Sequence, residues 1–357
     1  MWAFLIVLIA VGLILQRLTL RRGFDGISYD IRPSFSTVEP GETFTLITII
    51  KNGTRRFVPF LSLHEMLPKD ISILSEGVKT FYMSQMGDTF YLDSKIYLMP
   101  RQTLTRRVEV SLPKRGRYFF QGATLSMGDF LGLSEQMEPF RLLKEIVVIP
   151  SPLPGDGLAE TLGGFLGDMS VLRFIFEDPV LTLGFREYTM REPLKMISWG
   201  QSARAGTLMV KNFDYTLELT VTIILNVQCG ERADAAILIE RCFSLARSVC
   251  DVLEDKGIKY DFLTNANAAG AFSIWSSIVE GLGERHYMSI MEGLGRATHQ
   301  HVDTLETLLD KAARGTQQGR SHILITPMNM PEIAPGLERL EVLSGGRTLV
   351  INAEEVG

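Results

Sequence analysis

The chain is 357 residues long, more than one hydrophobic core ordinarily organises, which implies two domains of usual size. Its 46% hydrophobic and 22% charged content excludes an intrinsically disordered chain, and its net charge of −5 argues against a nucleic-acid binder. The mean hydropathy is positive, at +0.14, and points to a membrane element.

That element stands first in the chain. The run MWAFLIVLIAVGLILQ carries no charge and is followed by Arg17, Arg21 and Arg22. At 1.5 Å per residue it spans about 24 Å, short of a hydrocarbon core of about 30 Å unless Leu18 and Leu20 extend it while Arg17 snorkels. No basic residue precedes the run and no small-x-small site precedes Arg17, so an uncleaved transmembrane anchor is the reading over a signal peptide. The three arginines follow the helix, which puts the bulk of the chain on the cytoplasmic side. Residues 1–22 are therefore predicted to form the anchor and its basic flank.

Residues 24–150 repeat with period two. GETFTLITIIKNG, TRRVEVSLP, GRYFFQG and EIVVIP are short β-rich runs separated by turn signals. They predict an antiparallel, immunoglobulin-like β-sandwich with Phe44, Leu46 and Ile50 on an inner face. Asn52-Gly53 reads as a type I′ hairpin turn rather than a glycosylation site. Six cations, Arg101, Arg106, Arg107, Lys114, Arg115 and Arg117, stand against Glu109 alone. Two readings are open: a basic edge resting on anionic lipid, or a strand edge kept soluble by charge.

Residues 151–214 are predicted to connect the domains, and their latter part mixes cations, acids and a tryptophan without periodicity. From residue 215 onward β and α patterns alternate. LELTVTIILNV is an apolar strand, a helical stripe runs through Ala235, Leu238, Cys242, Ala246, Val249 and Leu253, and Gly257 closes that helix. IKYDFLTN, VDTLETLLDKAA, SHILITP, PEIAPGLERLEVL and RTLVIN continue the alternation, which implies a mostly parallel sheet between helices. The stretch 266–280 fits neither period. Cys229, Cys242 and Cys250 are odd in number and form no C-x-x-C pair, so they read as small apolar residues rather than disulfides or a zinc site.

Sheets of this type bind ligands beyond the carboxyl ends of their strands. Here Asn226-Val227-Gln228-Cys229-Gly230 and Thr326-Pro327 stand in those places, and no Gly-rich phosphate loop follows a strand, so nucleotide binding is not expected. The one enzyme-like run is His299-Gln300-His301-Val302-Asp303, whose alternate residues could face one metal in a hydrolase. Asp303 equally suits the N-cap of the next helix. His64-Glu65 is followed by Pro68, which rules out a zincin helix.

Gly184-Phe185-Arg186-Glu187-Tyr188, Ile197-Ser198-Trp199, Ser202-Ala203-Arg204, Gly206-Thr207-Leu208 and Val210 together resemble the signature of the family called domain of unknown function 58. Arg115-Gly116-Arg117-Tyr118 and Gly128-Asp129-Phe130-Leu131-Gly132-Leu133 resemble further elements of it, so the likeness spans essentially the whole chain. The chain departs from the pattern at Arg191-Glu192, at Lys195 and in having one anchor helix where two are common.

The resemblance implies a membrane-tethered prokaryotic protein with a last domain similar to a von Willebrand factor type A domain. It also implies a MoxR-type AAA+ ATPase as partner, acting with it on client proteins. Type A domains often hold Mg²⁺ with an Asp-x-Ser-x-Ser run, whose aligned positions here are Asn226, Gln228 and Gly230, and Pro327 occupies the place of a later aspartate. Two amides and a hydrogen do not replace a carboxylate and two hydroxyls, so no metal and no other cofactor is expected. The signature admits two roles. In one, Trp199 packs between domains while Arg186 and Arg204 pair with Glu187, Glu192 or Asp214. In the other, Arg186, Tyr188, Trp199 and Arg204 dock a protein partner. The expected function is thus a non-catalytic, membrane-anchored adaptor, with a metal-dependent hydrolase using His299, His301 and Asp303 as the alternative.

Overall fold

A computed structural model describes residues 23–74, 81–86, 89–128, 135–153, 157–173, 182–190, 192–213, 220–268, 276–315 and 319–355. The anchor expected at residues 1–22, with Arg17, Arg21 and Arg22, lies outside the described residues, as do Asp129–Leu133 of the family likeness, Arg191 and Asp214. Among the described residues no helix is long and apolar enough to cross a membrane. The chain divides into two compact units, Met1–Ser151 with Leu294–Arg296, and Pro152–Gly293 with Ala297–Gly357.

The first unit is a two-sheet β-sandwich. One sheet has the order β1 (Ile27–Pro33), β3 (Thr43–Asn52), β8 (Thr103–Ser111), β5 (Ser72–Ile73). The other runs β2 (Thr37–Val38), β10 (Glu135–Val148), β9 (Gly116–Gly128), β4 (Val58–Leu67), β7 (Thr89–Leu98), β6 (Phe81–Met86). All pairs are antiparallel except β2 with β10. Because side chains alternate across a strand, Phe44, Leu46 and Ile50 of β3 are buried together with Val108 and Val110 of β8 and Leu61 and Leu63 of β4.

The same alternation carries polar groups inside. Tyr29 of β1 and Thr48 of β3 donate to Glu65 Oε1 at 2.9 and 2.7 Å, and Arg106 of β8 pairs with Glu65 Oε2. Arg106 also donates to Ser94 Oγ at 2.8 Å, so the cluster ties one sheet to the other through the interior. Desolvation, partly offset by Arg106, raises the Tyr29 phenol well above its ordinary range. The six-cation edge therefore does not exist as one surface. Arg106 points inward, Arg117 pairs with Glu145 at 2.7 Å, and Lys114 lies 3.7 Å from Asp70.

Asn52-Gly53 is a turn of a different kind from the one predicted. β3 and β4 belong to different sheets, so the segment between them crosses the sandwich rather than closing a hairpin. Asn52 is buried, its amide donates to the Arg56 and Met99 carbonyls at 2.7 and 3.0 Å, and its Oδ1 accepts from the Thr54 N–H at 3.0 Å. This Asx turn needs no positive φ at Gly53.

The second unit begins with helix α1 (Gly157–Arg173), an antiparallel pair β11 (Thr182–Glu187) and β12 (Met209–Phe213), and the short helix α2 (Trp199–Ala205). Its main sheet has the order β16 (Ser277–Gly281), β14 (Lys259–Thr264), β13 (Thr220–Leu225), β18 (Ser321–Thr326), β19 (Thr348–Asn352). The strands are parallel apart from the antiparallel edge strand β16. Helices α5 (Leu305–Gly315) and α6 (Met330–Ser344) pack with Ile224 and Leu324 on one face. Helix α3 (Ala235–Asp255) lies against β13, β14 and β18 and buries Cys242 and Cys250, whose thiols desolvation raises far above the ordinary range. Gly257, at φ +65°, ends α3 as predicted. The stretch with neither period holds β16 and the short β15 (Ala266–Ala268), which pairs with β17 (Ala297–His301). Helix α4 (Glu284–Arg296) precedes β17.

Candidate functional site

Within the main sheet the chain moves outward from β13 through β14 to β16, then returns to the other side for β18 and β19. The order reverses between β13 and β18, and the crevice past their carboxyl ends is where such sheets bind ligands. Asn226 and Thr326 line it from those two strands, and Asn265 follows β14.

These groups close on one another. Asn226 Nδ2 donates to Thr326 Oγ1 at 2.9 Å, and Asn226 Oδ1 accepts from the Gln228 N–H at 3.0 Å and from Asn265 Nδ2 at 2.7 Å. Asn265 Oδ1 accepts from the Val227 N–H at 2.9 Å, and its amide also donates to the Asp303 carbonyl at 3.0 Å. Gln228 Oε1 accepts from the Leu305 N–H at 2.7 Å, taking an unpaired donor of the first turn of α5. Thr326 Oγ1 accepts a second bond from the Met328 N–H at 3.1 Å. Asn226, Asn265 and Thr326 are buried.

A divalent ion of the kind that type A domains often hold does not fit this arrangement. A hard cation needs oxygens with lone pairs to spare and preferably negative charge. Here every side-chain oxygen among Asn226, Gln228, Asn265 and Thr326 already accepts from an N–H, and the four groups are neutral. Gly230 contributes no side chain, and the carboxylate of Asp303 pairs with Lys311. Partial burial raises the pKa of the neighbouring Cys229 thiol, which works against a thiolate nucleophile.

The structure does not gather the histidine run into one donor set. His299 Nε2 lies 2.6 Å from Glu240 Oε1, while Asp303 turns to Lys311. No group of three His, Cys, Asp or Glu side chains able to hold a metal ion occurs among the described residues. The N-cap of α5 is Thr304 rather than Asp303: Thr304 Oγ1 accepts from the Thr307 N–H at 3.4 Å.

The signature residues divide into two sets. Ile197 and Val210 are buried and bridge each other, and Ser202 donates to the Ser198 carbonyl at 2.9 Å while accepting from the Met209 N–H at 2.8 Å. Gly206, at φ +72°, ends α2 in the left-handed conformation that glycine adopts without strain. These residues hold α2 against β12. Arg186 pairs with Glu192 at 2.5 Å, and Glu192 also accepts from the Thr189 hydroxyl and N–H at 2.9 and 3.2 Å. The Arg186 hydrogen bond is the main reason the Glu192 carboxyl is pulled down to about 2. Glu192 stands where the sequence departs from the signature it resembles, and here it organises the turn. Tyr188 is half-buried, with its N–H donating to the Leu208 carbonyl at 2.8 Å.

Trp199 is 68% exposed, and Phe185, Leu194, Leu208 and Arg204 are also exposed.

No protein-family model matches the sequence, and no curated protein matches it. Among solved structures, the chain is similar to the CARDB domain of a Pyrococcus furiosus protein, with 12% identity over 34% of this chain and 87% of that one and a TM-score of 0.22. A cohesin module from a Clostridium perfringens family 33 glycoside hydrolase gives 11% identity over 34% and 96%, with a TM-score of 0.24. A Vibrio harveyi exo-β-N-acetylglucosaminidase gives 10% identity over 88% and 59%, with a TM-score of 0.26. Superpositions at that level do not distinguish one fold or function from another.

Proposed function

We propose that this chain is a non-catalytic, membrane-anchored adaptor of the domain of unknown function 58 type, with a metal-free von Willebrand factor type A-like domain. It acts with a MoxR-type AAA+ ATPase on client proteins, and the bulk of it lies on the cytoplasmic side of a single-pass anchor. The observation that carries the proposal is the division of the signature. Ile197, Ser202, Gly206 and Val210 are spent on local structure, whereas Trp199 and Arg204, residue types that dominate protein interfaces, are held outward on a short helix pinned by Ser202. The type A reading is supported by the order in which the sheet reverses between β13 and β18 and by its antiparallel edge. The adaptor reading is supported by the amide network in the crevice, whose neutral side-chain oxygens are each already engaged by an N–H donor.

The test is co-expression of the full chain with the MoxR-type ATPase of its own genome, followed by affinity isolation from detergent-solubilised membranes. Co-isolation lost on Trp199→Ala or Arg204→Glu supports the proposal. Equal recovery of the ATPase with and without the tagged chain, or hydrolase activity that disappears on His301→Ala, overturns it.

A further inference from the structure

The end of the β-sandwich from which β1 departs carries an apolar and basic tip. Phe57 and Tyr97 face each other with ring centroids 6.3 Å apart. Tyr97 is 58% exposed and Phe60 57%, and Met99, Arg55 and Arg101 are exposed beside them. Patches of exposed aromatic and aliphatic groups on a soluble face mark contact surfaces.

The backbone that presents these groups is firmly built. The buried Asn52 amide holds the Arg56 and Met99 carbonyls, and the Arg101 N–H donates to the Thr54 carbonyl at 2.9 Å. Met99 to Gln102 form a turn of the type II class, closed by the Gln102 N–H on the Met99 carbonyl at 3.2 Å, with Pro100 at its favoured position. The next position calls for positive φ, where glycine or asparagine is usual, yet Arg101 occupies it at φ +57°. A strained arginine at a turn tip is an observation that calls for a function.

The same tip receives the amino-terminal end of the described chain. The Gly53 N–H donates to the Gly26 carbonyl at 2.7 Å and Arg56 donates to the Asp25 carbonyl at 3.3 Å. Phe24 is buried against Phe140, with ring centroids 5.9 Å apart, so the entry of the chain is fixed to the sandwich. Phe24 is four residues beyond Leu20, the end of the apolar segment, a reach of at most about 14 Å of extended chain.

We propose that this tip, formed by Phe57, Phe60, Tyr97, Met99, Arg55 and Arg101, rests on the anionic surface of the membrane that holds the anchor. The inference depends on the anchor reading given above, which brings the tip within reach of lipid. Aromatic rings take the interfacial zone, where an apolar face and a polar edge are both accommodated, and the two arginines meet anionic headgroups. The short tether and the docked contact keep the β1 end of the sandwich toward the bilayer and direct its opposite end, which carries Glu39, away from it.

The test places a bimane fluorophore at Met99→Cys, or as a control at Glu39→Cys, in the full-length chain carrying Cys229→Ser. The protein is reconstituted in vesicles of phosphatidylcholine mixed with phosphatidylglycerol, and shallow nitroxide-labelled lipid serves as quencher. Quenching at position 99 severalfold above that at position 39, reduced by Arg55→Gln combined with Arg101→Gly, is the expected result. Arg101→Gly relaxes the strained turn, so lost quenching cannot be laid to a damaged backbone. A chain that resists carbonate extraction but shows equal quenching at both positions overturns the inference and leaves the anchor standing. A chain stripped from the vesicles by carbonate overturns both.

Discussion

Asn226 Oδ1 accepts from Asn265 Nδ2 at 2.7 Å while Asn265 Oδ1 accepts from the backbone N–H of Val227 at 2.9 Å, so two buried amides lock the ends of adjacent parallel strands together. Replacing Asn226 by alanine takes the acceptor from the Gln228 N–H and leaves the buried Asn265 amide and Thr326 hydroxyl each one hydrogen bond short. The expected cost is about 1–3 kcal/mol, read from denaturant unfolding of the full chain. Thermal unfolding of the wild-type protein is expected to be unmoved by millimolar Mg²⁺ or by EDTA. A magnesium-dependent rise in Tm would mean that the amide lock opens to admit an ion.

Glu65, fully buried, pairs with the part-buried Arg106 and joins the two sheets of the sandwich. Glu65→Gln leaves the part-buried Arg106 charge without its counter-charge, which costs about 2–3 kcal/mol, less than the loss expected for a fully buried pair. The double replacement Glu65→Leu with Arg106→Met exchanges both charges for apolar volume and is expected to recover most of that loss. Denaturant midpoints of the single and double variants check this. Equal destabilisation in both would show that geometry rather than uncompensated charge dominates the site.

His322 of β18 is fully buried, and desolvation, reinforced by Arg320, lowers its pKa to about 4. An unfolded chain binds the proton near pH 6.5, so folding is favoured above that pH and loses stability as the pH falls toward 4. Between pH 7 and pH 5 the loss from this residue is about 2 kcal/mol. His286, also shifted down by desolvation, adds to it in the same direction. Stability of the second unit measured at the two pH values, with His322→Leu as the comparison, should show the slope reduced by that amount in the variant. An unchanged slope would place the acid sensitivity elsewhere.

Much of the fold can be read from residue patterns. The alternation of Phe44, Leu46 and Ile50 announces β3, and the stripe ending at Gly257 announces α3. The interior ion pair was equally open to such a reading, because Leu61, Leu63, Glu65 and Leu67 fall on one face, as do Leu104, Arg106, Val108 and Val110. A charged residue at an inward register position is the signal for a buried partner on the facing sheet. Helices α1 and α4 escaped because Gly163, Gly164, Gly167, Gly293 and Gly295 punctuate them, and glycine weakens a helical pattern that tertiary packing then rescues. The amide lock is legible only in part: the missing carboxylate shows in the sequence, but Asn265 enters through strand pairing across the sheet. The outward course of Trp199 depends on the register of a seven-residue helix, which no periodicity long enough to read could announce.

The most direct measurement is a calorimetric titration of the detergent-solubilised full chain with the MoxR-type ATPase proposed as its partner, comparing wild type with Trp199→Ala. The exposed position of Trp199 predicts a variant whose folding stability stays within about 0.5 kcal/mol of wild type but whose affinity falls at least tenfold. Unchanged affinity in Trp199→Ala and in Arg204→Glu, with both proteins folded, would contradict the account.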